Sequence, residues 1–288
     1  MGIHFLSAAF VFIWATGFIV AGLAAGHADP LTFLVIRYAL SIVVFVGASL
    51  FVKASWPRDP RAWRDALVAG MLLHGLYIGG VFWSVRHGMP AGLAALVTGL
   101  HPVFTAVLAV PILKEHVGPR QWFGIALGLA GLGLIVTPAL RAVDGLPLVP
   151  LAATLGATLA LTLGTLWQKR SRPQMDLRVN AAIQFMGALL LTGPLAFLFE
   201  ERNFDNSPAV WGAMAWAVLV ISVGAISLLL VLLKRGAASR VAPLLYLAPP
   251  VATLIAYFLF GERLMPVQVA GMVLSVIGAF AAGSFRRT

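Results

Sequence analysis

"VPILKEHVGPRQWFGIALGLAGLGL" (Val110–Leu134) and "FLFGERLMPVQVAGMVLSVIGAF" (Phe258–Phe280) are one passage written twice. Each runs apolar, then acidic beside basic, then Pro-x-x-Gln, then a second Gly-rich apolar run. Laid over one another, Glu115 meets Glu262, Pro119 meets Pro266, Gln121 meets Gln268 and Gly124 meets Gly271, an offset of 147 residues. The match continues backwards. Pro102 meets Pro250 and Gly88 meets Gly236 at an offset of 148, and Arg37 meets Gln184 and Gly17 meets Gly164 at 147. A fixed internal period reads as a repeated structural unit, here residues 1–140 and 141–288.

The medium around these units is set by composition. Of 288 residues, 60% are hydrophobic and 10% charged, with mean hydropathy +0.96. Soluble domains carry about 25% charged residues, so the solvent is mostly lipid. With no Cys, a disulfide frame, a thiolate metal site and a cysteine nucleophile are excluded. The opening segment, "MGIHFLSAAFVFIWATGFIVAGLAAGHA", lacks the basic start and short apolar run of a signal peptide. It reads as a retained first span.

A helical span needs about 20 mostly apolar residues. Ten candidates satisfy this: 4–25, 31–52, 65–85, 91–113, 119–138, 147–168, 179–199, 209–233, 239–260 and 265–284. The connections are short and rich in turn residues, as in "AGHADP", "RHGMP" and "ERNFDNSP". The expected fold is therefore all-α, a polytopic membrane protein with five spans per unit.

Lys and Arg orient it, because they accumulate on the cytoplasmic side. With the N-terminus inside, the inner segments hold Lys53, Arg58, Arg61, Arg64, Lys114, Arg120, Lys169, Arg170, Arg172, Arg178, Lys234, Arg235, Arg240, Arg286 and Arg287. The outer segments hold only Arg86, Arg141, Arg202 and Arg263. Both termini are thus expected in the cytoplasm. The net charge of +10 is an orientation signal rather than a nucleic-acid surface. Five spans is an odd number, so the second unit enters the bilayer upside down. Inverted repeats characterise alternating-access carriers, which bind substrate near the midplane between the repeats.

"APPVATLIAYFLFGERLMPVQVAGMVLSVIGAF" and its partner "HPVFTAVLAVPILKEHVGPRQWFGIALGLAGLGLIV" closely resemble the EamA repeat of the drug/metabolite transporter superfamily. The Pro, the Glu at the helix end, the Gln and the following Gly all match. The resemblance covers essentially the whole chain, best in spans 4–5 and 9–10. It implies a ten-helix carrier of the cell inner membrane, often an exporter of amino acids or other metabolites. The chain looks most like bacterial exporters of aromatic and neutral amino acids. A broad-specificity drug or metabolite carrier of the same superfamily is the alternative.

Charge placement narrows the cargo. All ten acidic residues (Asp29, Asp59, Asp65, Glu115, Asp144, Asp176, Glu200, Glu201, Asp205 and Glu262) lie in or beside loops. A proton-coupled carrier of lipophilic cations needs a carboxylate inside the membrane, so a neutral or zwitterionic substrate is expected. Arg37 is the one formally charged residue well inside a span, about seven residues or roughly 10 Å from its outer end. It either receives a substrate carboxylate or snorkels to helix-end carbonyls.

Depth marks the remaining candidates. Trp14, His74, His101, Thr158 and Pro249 fall near the centres of spans 1, 3, 4, 6 and 9. Helical spacing groups His74 with Tyr77, His101 with Thr98 and Tyr246 with Pro250. Trp14, Arg37, His74, Tyr77, Thr98, His101, Thr158 and Tyr246 are the expected substrate contacts. Thr stripes also read as helix packing. Pro102, Pro249 and Pro250 break spans 4 and 9 and release carbonyls there, as a hinge, a binding element or a static kink. Glu115 and Glu262 precede Pro-led helices and are expected to accept from N–H groups at the next helix start, or else to gate the two faces. The Gly-x-x-x-Gly pairs Gly124/Gly128 and Gly75/Gly79 read as close helix packing or a dimer face. An intramembrane enzyme would need a catalytic constellation, and the sequence has no Cys, no carboxylate near a span centre, no His-Glu-x-x-His and no Gly-x-Ser-x-Gly. No cofactor or metal is expected. The expected partners are a small-molecule substrate and the bilayer.

Overall fold

The computed structural model describes residues 3–113, 118–141, 148–171, 175–225, 227–228, 248–262 and 265–283. Among the described residues all regular structure is helical, and the sole β contact is an isolated bridge between Ala28 and Phe204. Helices α1 (Ile3–Ala25), α2 (Pro30–Phe51) and α3 (Pro60–Arg86) come first. The fourth apolar run is two helices, α4 (Ala91–Thr98) and α5 (His101–Leu113). Then follow α6 (Pro119–Arg141), α7 (Leu148–Ser171), α8 (Leu177–Phe199), α9 (Pro208–Gly224), α10 (Ala248–Phe260) and α11 (Pro266–Gly283). By length and composition α1, α2, α3, α7 and α8 suffice to cross a membrane, and the others contain shorter apolar stretches.

Local chemistry sets the helix starts. Pro30, Pro60, Pro119, Pro208 and Pro266 each open a helix, where the missing N–H has no intrahelical partner to lose. Asp59, Asp176 and Ser207 cap the adjoining backbone, accepting from the N–H of Arg61, Arg178 and Val210. The outer helix faces are bare hydrocarbon: Phe51, Phe199 and Phe258 are 90%, 77% and 74% exposed. Apolar surface on that scale needs lipid to cover it.

Two crossings pair equivalent helices of the halves. In the first, α6 crosses α11 through Gly124, Gly128 and Gly131 on one side and Gly271, Ser275 and Gly278 on the other, each pair 147 residues apart. A Cβ on Gly131 would lie 2.6 Å from the Gly271 carbonyl oxygen, and one on Gly278 would lie 2.6 Å from that of Gly124. Such contacts are impossible for a side chain, so glycine is what lets the backbones touch. The Gly124/Gly128 pair is therefore spent inside the chain. Gln268 ties the same crossing: its Oε1 accepts from the Met265 N–H, and its Nε2 donates to the Ile135 carbonyl.

The second crossing sets α2 against α8 through aromatic rings. Tyr38 and its repeat counterpart Phe185 sit 5.8 Å apart, and Phe45 stacks on Phe185 at 5.8 Å. The loops at one end of this pair are stitched together. Glu200 accepts from the N–H groups of Leu31 and Thr32 and from the Thr32 hydroxyl, all at 2.8 Å. The Asp29 N–H donates to the Asn203 carbonyl at 2.9 Å, and the Asn203 N–H to the Asp29 carboxylate at 2.8 Å. His27 Nδ1 lies 3.0 Å from Asp205 Oδ2, and this neighbour holds the Asp205 carboxyl below its ordinary range.

Candidate functional site

The polar candidates separate into two groups. Trp14 packs against an apolar cluster built from α1, α3, α4, α7 and α10, which contains Tyr77, Leu93, Leu161 and Ala252. Phe10 lies 6.0 Å from the Trp14 ring. At the break between α4 and α5, the His101 ring nitrogen meets the Thr162 hydroxyl of α7 at 3.1 Å. Thr105 donates to the His101 carbonyl at 2.8 Å. Thr98 and Thr158 are buried and donate to carbonyls one turn back in their own helices, those of Ala94 and Thr154. In this arrangement both hydroxyl protons serve helix packing.

The interruption of the fourth span falls at Gly99–Leu100, immediately before His101-Pro102. Pro102 has no N–H to close the turn, and the Leu100 N–H bonds back only three residues, to the Val97 carbonyl. Opposite it, the buried Pro249 ring lies against Gly99, 3.0 Å from where a Cβ would stand. Pro249 and Pro250 lie among the first described residues of α10, and Pro249 sits against the interruption of the fourth span. Tyr246 and Glu115 lie outside the described residues.

Glu262 does hold a helix start, but a different one from that expected. Its two oxygens accept from the N–H groups of Ala91 (2.8 Å) and Gly92 (2.9 Å) at the head of α4. The following helix is served by Gln268 instead. The carboxylate thus joins the second half to the first. A sequence places it beside the next Pro-led helix, whereas the fold brings α4 nearer.

His74 and Tyr77 also part company. Residues Met71–Leu76 of α3 form a π-helical turn, and a wider turn carries three residues less far around the axis. Tyr77 faces the cluster with Trp14, while His74 stacks on Phe185 at 4.7 Å and its carbonyl accepts from the Tyr38 hydroxyl at 2.7 Å. A second π-helical stretch, Trp216–Gly224, lies in α9. At the 148-residue offset His74 corresponds to Ser222, so the two stretches occupy equivalent places. Ser222 is where Arg37 points: Arg37 Nη2 donates to its hydroxyl at 3.4 Å, and Ser41 donates to it at 3.3 Å. Arg37 is 3% exposed. Ser41, Gln184 and Ser222 are not among the contacts expected from sequence; for Gln184 and Ser222 the usable signal is their pairing with Arg37 and His74 across the repeat.

Among the described residues no group of three His, Asp or Glu side chains stands close enough to hold a metal ion.

This architecture has relatives. The EamA-like transporter family model matches residues 1–137 and again 149–283. The chain belongs to that family and is a multi-pass membrane transporter. It is 28% identical, over 96% of its length and 93% of the relative's, to a probable amino-acid metabolite efflux pump of Salmonella typhimurium. A protein of the same description from Escherichia coli is 26% identical, over 94% of this chain and 91% of the other. An uncharacterized Bacillus subtilis transporter, YvbV, is 25% identical over 94% and 88%. One crystal structure of a protein superposes with a TM-score of 0.67 at 20% identity, covering 98% of this chain and 96% of that one, a likeness of fold.

Proposed function

We propose that the protein exports neutral or aromatic amino acids across the cell inner membrane by alternating access. It does so as ten spans in two inverted units with both termini cytoplasmic. Charge inventory carries the choice of cargo: away from their ends the spans hold one formal charge, a buried Arg, and no carboxylate. A zwitterion in a low dielectric needs polar contacts to replace its water. Arg37, a His side chain or a helix N-terminus takes the carboxylate, and carbonyls released at the broken spans take the ammonium. Trp14, Tyr77 and Tyr246 offer flat apolar walls for the side chain. The names given to the two enterobacterial relatives support the same reading.

Proteoliposomes containing the protein should exchange labelled phenylalanine, methionine or threonine for unlabelled amino acid. Robust transport of a permanent organic cation, without amino-acid flux or competition, would overturn the reading. Because the chain has no Cys, single substitutions such as Asn206→Cys and Ser171→Cys can report orientation. In intact cells an impermeant maleimide should label the first and spare the second.

A further inference from the structure

We propose that the polar cluster among α2, α3, α8 and α9 is an anion site, in which Arg37, beside Ser41, Ser222, His74 and Gln184, binds the carboxylate of a transported molecule or a free chloride ion. The carboxylate alternative rests on the export reading above; the chloride alternative does not.

Arg37 is buried, and among the described residues no ion pair includes it. Its Nε is shielded from solvent and has no hydrogen-bond partner, and the same is true of His74 Nδ1. His74 feels the charge of Arg37 and hydrogen-bonds the side chain of Gln184. A guanidinium removed from water without a counter-charge is among the most costly buried groups. No acidic residue among those described pairs with it. A bound anion supplies the counter-charge. Chemistry favours a monovalent one: one cation is present, the Arg fork matches a carboxylate, and a halide can accept from the same N–H groups.

The surroundings are organised for this. Ser222 donates to the Ala217 carbonyl at 3.1 Å within the π-helical part of α9, which leaves its oxygen to receive Arg37 and Ser41. Both incoming bonds are long, so Arg37 is held loosely and can turn onto a ligand. Both wide turns face this point, and π-helical turns are frequent at functional sites. The repeat also shows that the charge is not needed for folding, since Arg37 corresponds to the neutral Gln184, which is buried in the equivalent place.

The test uses the purified full chain in nanodiscs of zwitterionic lipid. Melting temperature is followed against sodium chloride, with sodium gluconate holding ionic strength constant. In gluconate the titration is repeated with L-phenylalanine and with L-phenylalaninamide, which lacks the carboxylate. A saturable chloride response, weakened about tenfold or more in Arg37→Gln, supports the proposal and identifies a free anion. A response to phenylalanine but not to its amide, lost in the same variant, supports it and identifies the transported carboxylate. Should Arg37→Gln not fold, Arg37→Lys is read the same way, because it keeps the charge and removes Nε. No response to either probe, or equal responses in wild type and variant, overturns the proposal. Amino-acid flux in proteoliposomes separates the two readings. Flux without any Arg37-dependent response leaves export standing and removes the anion site, and a chloride response without flux does the reverse.

Discussion

Helix α3 meets α8 through Gly70 and Gly187, whose repeat-equivalent positions in α9 and α2 are Val218 and Leu40. At the first, a Cβ on Gly70 would run into the Gln184 carbonyl and one on Gly187 into the Leu67 carbonyl. At the second, Leu40 remains 39% exposed. Two halves with one fold thus pack differently where glycine in one is a branched residue in the other. On the proposed orientation the tight junction lies in the inner half of the membrane and the looser one in the outer half.

The comparison breaks most severely if the glycines are filled. Gly70→Leu and Gly187→Leu put side chains against backbone, where nothing can yield. Overpacking costs about 1–3 kcal/mol and sometimes more, so loss of the monodisperse peak in size-exclusion chromatography is expected. Leu40→Ala should stay within about 0.5 kcal/mol of wild type. If all three variants behaved alike, packing at the two junctions would not differ.

Next in size are the carboxylates that join the halves. Glu200→Gln and Glu262→Gln each weaken charge-assisted bonds to helix-start N–H groups, worth about 1.5–3 kcal/mol. Thermal unfolding should show a lower midpoint, while the pH profile of flux keeps its shape. Glu115→Gln is expected to do the same. Loss of a pH-driven flux with normal folding in any of the three would instead assign it a coupling proton.

A smaller effect is expected at the apolar wall. Trp14→Ala should slow phenylalanine flux roughly tenfold, equivalent to 1.4 kcal/mol, and threonine flux much less. Equal slowing would place Trp14 in packing alone. Least is expected of the exposed clasp between His27 and Asp205. A depressed carboxyl contributes stability above its unfolded pKa, here the ordinary 3.8, and loses it as pH falls through the lower folded value. The melting temperatures of wild type and Asp205→Asn should therefore converge as the pH falls below 3.8.

What the sequence made legible follows from what repeats. Offsets of 147 and 148 residues gave the two halves, and glycines four apart announced a close crossing. They did not name α11 as the partner of α6, because a glycine stripe specifies distance and not identity. Glu262 was readable as an acceptor at a helix start, yet its partner helix depends on the tertiary path. The π-helical turns left no mark in the hydrophobic pattern. They moved His74 away from Tyr77 and toward Arg37, so two residues grouped by spacing serve different neighbours. Arg37 itself was visible at once, as the lone charge in an apolar run.

A π-turn is a helix carrying one residue more than an α-turn would hold, and here the surplus appears in both halves at positions that correspond. The simplest history is that it entered once, in a five-helix ancestor, and was copied with it. In such an ancestor two identical chains, inserted in opposite senses, would have brought two copies of each wide turn to their common interface. The later divergence of His74 from Ser222, and of Arg37 from Gln184, then gave a once symmetric junction a direction.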